Sequence, residues 1–139
     1  MDEGKSAYEL IKKIYPIHRS ITGDGARKTY QIIGQYIGDD RFALHEIKSG
    51  TKVFDWVIPK EWKIRDAYVE NGDGERVISY QDNNLHVLGY SAPVDCYVEY
   101  DELINHMYSE PNQPDVIPYV TSYYEERWGF CVSENQKKK

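Results

Sequence analysis

No stretch of these 139 residues is apolar for long enough to cross a bilayer as a helix. The N-terminal MDEGKSAYELIKK is acidic and has no apolar core of the kind a secretory leader needs. Together these absences argue against a helical membrane protein and place the chain in the cytoplasm. Cysteine is scarce: Cys96 and Cys131 stand far apart and lack metal-ligand spacing. A disulfide scaffold is thereby excluded, and both cysteines read as free thiols filling small buried positions. Basic charge is also short, with 17 Lys and Arg against 23 Asp and Glu, a net charge of -6. A general nucleic-acid binder needs a basic face to neutralise phosphates, so that class is disfavoured. The four histidines, His18, His45, His86 and His106, form no i, i+4 pair with another His or a Cys. The sequence contains neither a G-x-S-x-G elbow nor a phosphate loop. Asp73-Gly74-Glu75 has the look of a calcium-loop fragment, but the remaining acidic ligands are missing and a hairpin turn is the better reading. No catalytic or metal-binding constellation is complete, so no cofactor is assigned to this chain.

What the chain has in excess is tyrosine, 13 of them. The densest aromatic run is PYVTSYYEERWGFCVS, Pro118 to Ser133, which holds Tyr119, Tyr123, Tyr124, Trp128 and Phe130 with Glu125, Glu126 and Arg127 among them. Large rings with polar tips serve either as the seam of a core or as a stacking surface for a ligand. The seam is the reading favoured here, with Trp128 largely buried and Arg127 partly exposed. The candidate ligand or cleft residues are Tyr119, Tyr123, Tyr124, Arg127 and Trp128, and His18 and Arg19 from an earlier polar loop.

Taken in order, Ser6 and Glu9 suit a capping box, followed by Ala7, Leu10, Ile11 and Ile14 on one helical face. Pro16 ends that helix near Tyr15. The loop His18–Gly25 resembles an anion-binding lead into a helix N-terminus, but a capped helix start, with Asp24 as N-cap, explains it more simply. Tyr30, Ile33 and Ile37 mark the expected buried stripe of the second helix, which stops at Gly38. From Phe42 the period becomes two. Strands are expected over Val53–Ile58, with Phe54, Trp56 and Ile58 on one face, and over Ile64–Glu70, Arg76–Tyr80, Leu85–Ser91 and Cys96–Tyr100. Asn71-Gly72-Asp73-Gly74 supplies a hairpin turn needing positive φ. Asp101 is expected to cap a short helix with Leu103, Ile104 and Met107 facing inward. Ser109–Pro118 is a proline-rich connector, then come a helical turn over Thr121–Arg127, a strand over Gly129–Ser133 and a polar tail. The class is α+β: two N-terminal helices followed by a mainly antiparallel β domain with one short helix.

Four ordered blocks, IYPIHRSITGDG, SGTKVFDWVIPKEW, NLHVLGYSAPV and QPDVIPYVTSYYEERWGFCVSENQ, resemble the N-terminal part of bacterial and archaeal aminopeptidase-like proteins found with surface-polysaccharide biosynthesis genes. The resemblance spans nearly the whole chain. It implies a zinc-aminopeptidase-like domain into which a small β-rich domain of unknown function is inserted. On that basis, 1–40 is a helical segment, 41–118 the inserted domain, and 119–139 an aromatic return segment towards the aminopeptidase-like part. The zinc-site region of such proteins lies beyond Gln136. No zinc ligand carries over to this chain, and zinc is implied only for the full-length family.

The resemblance therefore implies a non-catalytic accessory domain that shapes a substrate cleft, partnered by the rest of an aminopeptidase-like protein or by self-association. A glycan- or nucleotide-sugar-binding module is the alternative from the aromatic density, and a pure protein-interaction module is a third. The apolar faces of the two helices are expected either to self-associate or to fold onto the chain's own sheet.

Overall fold

The computed structural model describes residues 3–123 and 125–138, without the side chain of Asp39. The backbone divides into two compact units, Met1–Lys63 and Ile64–Lys139. The fold is α+β: among the described residues there are helices and three two-stranded pairings, two antiparallel and one parallel.

In the first unit, α1 (Glu3–Ile14) and α2 (Asp24–Ile37) are followed by a hairpin of β1 (Lys52–Val53) and β2 (Trp56–Val57). Helix α1 stops before Pro16, as proline demands, and α2 stops at Gly38, whose φ of 104° and N–H to the Gly34 carbonyl (2.8 Å) close it. Two expected caps are corrected. Ser6 lies inside α1 rather than at its start, and its hydroxyl meets that of Tyr36 at 3.0 Å. Gly23, not Asp24, is the N-cap of α2, because the Asp24 carboxylate is engaged by Lys63 and Arg27. The buried stripe is corrected too. The buried residues of α2 are Ala26, Thr29 and Gly34, while Tyr30 and Ile37 are exposed. A small-residue face wins here because the Phe42 ring lies against Gly34, where a Cβ would come within 2.7 Å of it. The expected strand Val53–Ile58 is a hairpin instead, with Val53 opposite Trp56 and a two-residue loop at Phe54-Asp55. Its alternation in sequence is real, but the chain reverses in the middle of it.

In the second unit, β3 (Tyr68–Glu70) and β4 (Arg76–Ser79) form the expected hairpin. Asn71 Oδ1 accepts from the N–H groups of Asp73 and Glu75, and Gly74 takes φ 81°. The expected strands over Leu85–Ser91 and Cys96–Tyr100 do not form. A 3-10 turn at Asn84–His86 is followed by single bridges, Val87 to Phe130 and Gly89 to Thr121. The short helix α3 (Tyr100–Leu103) starts after Glu99, ahead of the expected Asp101 cap, and Leu103, Ile104 and Met107 are half-buried. Strand β5 (Met107–Tyr108) pairs in parallel with β6 (Phe130–Cys131). Beyond it the tail forms α4 (Glu134–Lys137), where Ser133 and Gln136 make a reciprocal capping box. Ile78, Phe130 and Val132 are the buried cluster, with Ala67, Val69, Met107 and Trp128 packed on it. The aromatic run is thus the seam of this unit. Of the two thiols only Cys131 is buried; Cys96 is exposed, since no strand forms to turn it inward.

Candidate functional site

The chain from Val120 to Val132 runs between two other segments and is fastened to both. On one side, the Gly89 N–H donates to the Val120 carbonyl (2.9 Å), Ser122 N–H to Gly89 (2.7 Å), Leu88 N–H to Gly129 (3.1 Å) and Ala92 N–H to Arg127 (2.9 Å). On the other, Val132 N–H donates to the Tyr108 carbonyl (2.9 Å). Ser122 is buried, and its hydroxyl donates to the carbonyl of Tyr90 at 2.7 Å. Tyr90 itself sits at φ 61°, uncommon for a non-glycine residue, and its ring meets Tyr123 edge-on at 5.0 Å.

Two histidines hold this seam. His86 is buried and its Nδ1 lies 2.7 Å from the Cys131 carbonyl. His106 stacks on Trp128 with centroids 3.6 Å apart and planes 10° from parallel, while its Nδ1 lies 3.1 Å from the Trp128 carbonyl. A carbonyl only accepts, so each ring carries its proton on Nδ1 and spends it on backbone. Neither histidine was a site candidate in the sequence, where a lone histidine reads as structural; that reading describes both.

The expected site residues are distributed as follows. Trp128 is partly buried, less than expected, because one face is covered by His106 while the rest packs at the edge of the core cluster. Arg127 is partly exposed, as expected. Its Nη2 donates to the Thr121 carbonyl at 3.0 Å, its Nη1 reaches the Tyr108 hydroxyl at 3.4 Å, and its Nε faces Glu125 at 3.4 Å. The guanidinium therefore clips its own loop. Tyr123 packs on Tyr90, and Tyr119 is 70% exposed. Tyr124 lies outside the described residues. Burial pushes the Cys131 thiol up, which disfavours its thiolate.

His18 and Arg19 belong to the first unit. Arg19 Nη1 donates to the carbonyls of Ile14 (2.6 Å) and Ile17 (3.2 Å), capping the C-terminal end of α1. On the other side of the loop α2 starts after Gly23 without a side-chain cap, and Asp24 lies in its first turn. Arg27, which the sequence did not single out, reaches Asp24, Glu46 and Glu61 at once, and Glu61, followed by Glu46, raises its pKa. The ring of His18 lies 5.4 Å from that of Trp62, and burial holds its pKa below the usual 6.5. The folded state therefore prefers neutral His18, and the unfolded chain takes up the proton at higher pH. The stability that neutral His18 contributes is present above pH 6.5 and is lost as pH falls below that value through the folded pKa. In thermal unfolding scans, the wild type should lose more stability on acidification through this window than His18→Gln; parallel curves would refute it.

Among the described residues, no group of three or more His, Cys, Asp or Glu converges as a metal ion requires. The described residues do not fit a zinc site. Nor is any helix among the described residues long and apolar enough to cross a membrane.

A Clostridium acetobutylicum protein named for polysaccharide biosynthesis and an aminopeptidase-like domain is 51% identical over 97% of this chain, which spans 30% of that protein. A crystal structure of a candidate peptidase from the same organism superposes with a TM-score of 0.93 at 50% identity, covering 99% of this chain and 32% of its own. The chain thus spans about a third of the relatives it matches. Residues 61–139 match the family described as "Domain of unknown function (DUF2172)", and on that match the chain belongs to this family.

Proposed function

We propose that this chain is a non-catalytic accessory domain that shapes a substrate cleft in an aminopeptidase-like protein. The observation that carries the reading is the superposition of nearly the whole chain on a third of a candidate peptidase. The donor set supports it, since no described cluster can hold a catalytic metal. In this reading 41–118 is an inserted domain, 1–40 and 119–139 border the aminopeptidase-like part, and the whole is cytoplasmic. Tyr119, with its exposed ring, and Tyr123, Tyr124, Arg127, Trp128, His18 and Arg19 are the residues assigned to cleft shaping. Most of those described are already engaged in packing or capping, which favours a shaping role over direct ligand contact.

The test has two arms. After dialysis the chain should retain no stoichiometric zinc by elemental analysis and should not hydrolyse aminoacyl anilides. Stoichiometric zinc, or activity removed by a chelator, overturns the proposal. A glycan panel and nucleotide sugars titrated against tryptophan fluorescence should give a flat response. A saturable change there supports the alternative, a glycan- or nucleotide-sugar-binding module, for which the exposed Tyr119 ring is the favourable observation.

A further inference from the structure

The first unit buries little of its apolar surface. Its buried residues within helices are Ala26, Thr29 and Gly34, and none of the described residues of α1 is buried, so that Tyr8 and Ile11 face water, as does Tyr15 just beyond it. Among the described large hydrophobic side chains of this unit, Phe54 is the most exposed, at 94%. Phe54 is the first residue of the two-residue loop between β1 and β2, and it takes φ 55°. Glycine is the usual occupant of such a position in one of the tight hairpin turns. A bulky residue there carries backbone strain, and its ring is in water. Strain and full exposure at one aromatic residue are two independent costs. Trp56 and Val57 extend the apolar tip along β2.

Resting on the accessory-domain reading above, we propose that this hairpin tip is a docking plug, with Phe54 inserting into an apolar pocket of the aminopeptidase-like portion. Aromatic anchors in pockets are what dominate interface energetics. The choice of occupant follows from the relatives, in which this fold is 30–32% of one longer chain. A surface borne by the same polypeptide is present at an effective concentration of about millimolar, well above that of a second copy. The strain at Phe54 is then repaid only when the ring is covered.

The experiment compares the 139-residue chain with a chimera in which it replaces its counterpart in the full-length Clostridium acetobutylicum relative. Hydroxyl-radical footprinting, which needs no substitution, should show Phe54 modified rapidly in the chain alone and several-fold more slowly in the chimera. Phe54→Gly should leave the melting temperature of the chain alone unchanged or raised, since it relieves the strain. In the chimera the same change should lower it by roughly 2–4 °C. Equal modification of Phe54 in both contexts, or effects of Phe54→Gly of the same sign, overturns the proposal. So does a chain that sediments as a dimer and is made monomeric by Phe54→Gly, because the occupant would then be a second copy. Zinc content and anilide hydrolysis of the chain alone are unaffected by these outcomes, so failure of the plug is separable from failure of the accessory reading.

Discussion

Trp128→Ala should cost about 3 kcal/mol of unfolding free energy, near the lower end for emptying a large aromatic site, because the ring is partly rather than fully buried. One face rests on His106 and the remainder packs beside Ile78, Phe130 and Val132, so the ring closes the edge of the core cluster of the second unit. Denaturant titration measures the loss. A double-mutant cycle with His106→Ala should return a coupling of about 0.5–1.5 kcal/mol, the range for stacked ring pairs. A Trp128→Ala loss below about 1 kcal/mol would place the ring functionally on the surface and revive a ligand-stacking role for it.

Gly25→Ala is expected to destabilise by about 3 kcal/mol or more, at the upper end of overpacking costs. A Cβ there would overlap the His18 carbonyl oxygen and lie 3.0 Å from its carbon and 3.1 Å from the Arg19 Cα. All three obstacles are backbone, so no side chain can rotate out of the way. The result runs against local preference, since alanine is the better helix former by about 1 kcal/mol and Gly25 lies within α2. Hydrogen exchange of α2 should rise together with the loss of global stability. Gly72 is the control: a methyl group added there would meet nothing within 4 Å, and Gly72→Ala should change stability by no more than about 0.5 kcal/mol. A stabilised Gly25→Ala would show that His18 and Arg19 do not lie on the first turn of α2.

The α+β class was legible because it rests on local signals. Pro16 and Gly38 end their helices through steric and conformational limits that act on a few neighbouring residues. Asn71 and Gly74 encode the β3–β4 turn in the same way. The capping box at Ser133 and Gln136 is equally local but lies in a polar tail with no apolar stripe to announce a helix. The candidate site was legible only in part. The aromatic run is the seam, yet the residues that fasten it, His86, His106 and Tyr90, come from segments distant in the chain.

By itself, then, the sequence determined where helices stop, where the second-unit hairpin turns, and that an aromatic seam would organise the fold. Each of these depends on allowed backbone angles, missing N–H groups or the area a ring must bury. Tertiary structure alone decided which face of α2 is inward, because Phe42 takes the place beside Gly34 and selects small residues over Tyr30 and Ile37. It decided that the Val53–Ile58 alternation folds back at Phe54, and that Leu85–Ser91 contributes bridges rather than a strand, since pairing needs a partner edge that periodicity cannot supply. It decided that Arg127 and Arg19 donate to carbonyls of their own neighbourhood, because a guanidinium bonds whichever acceptors the fold brings within about 3 Å of it.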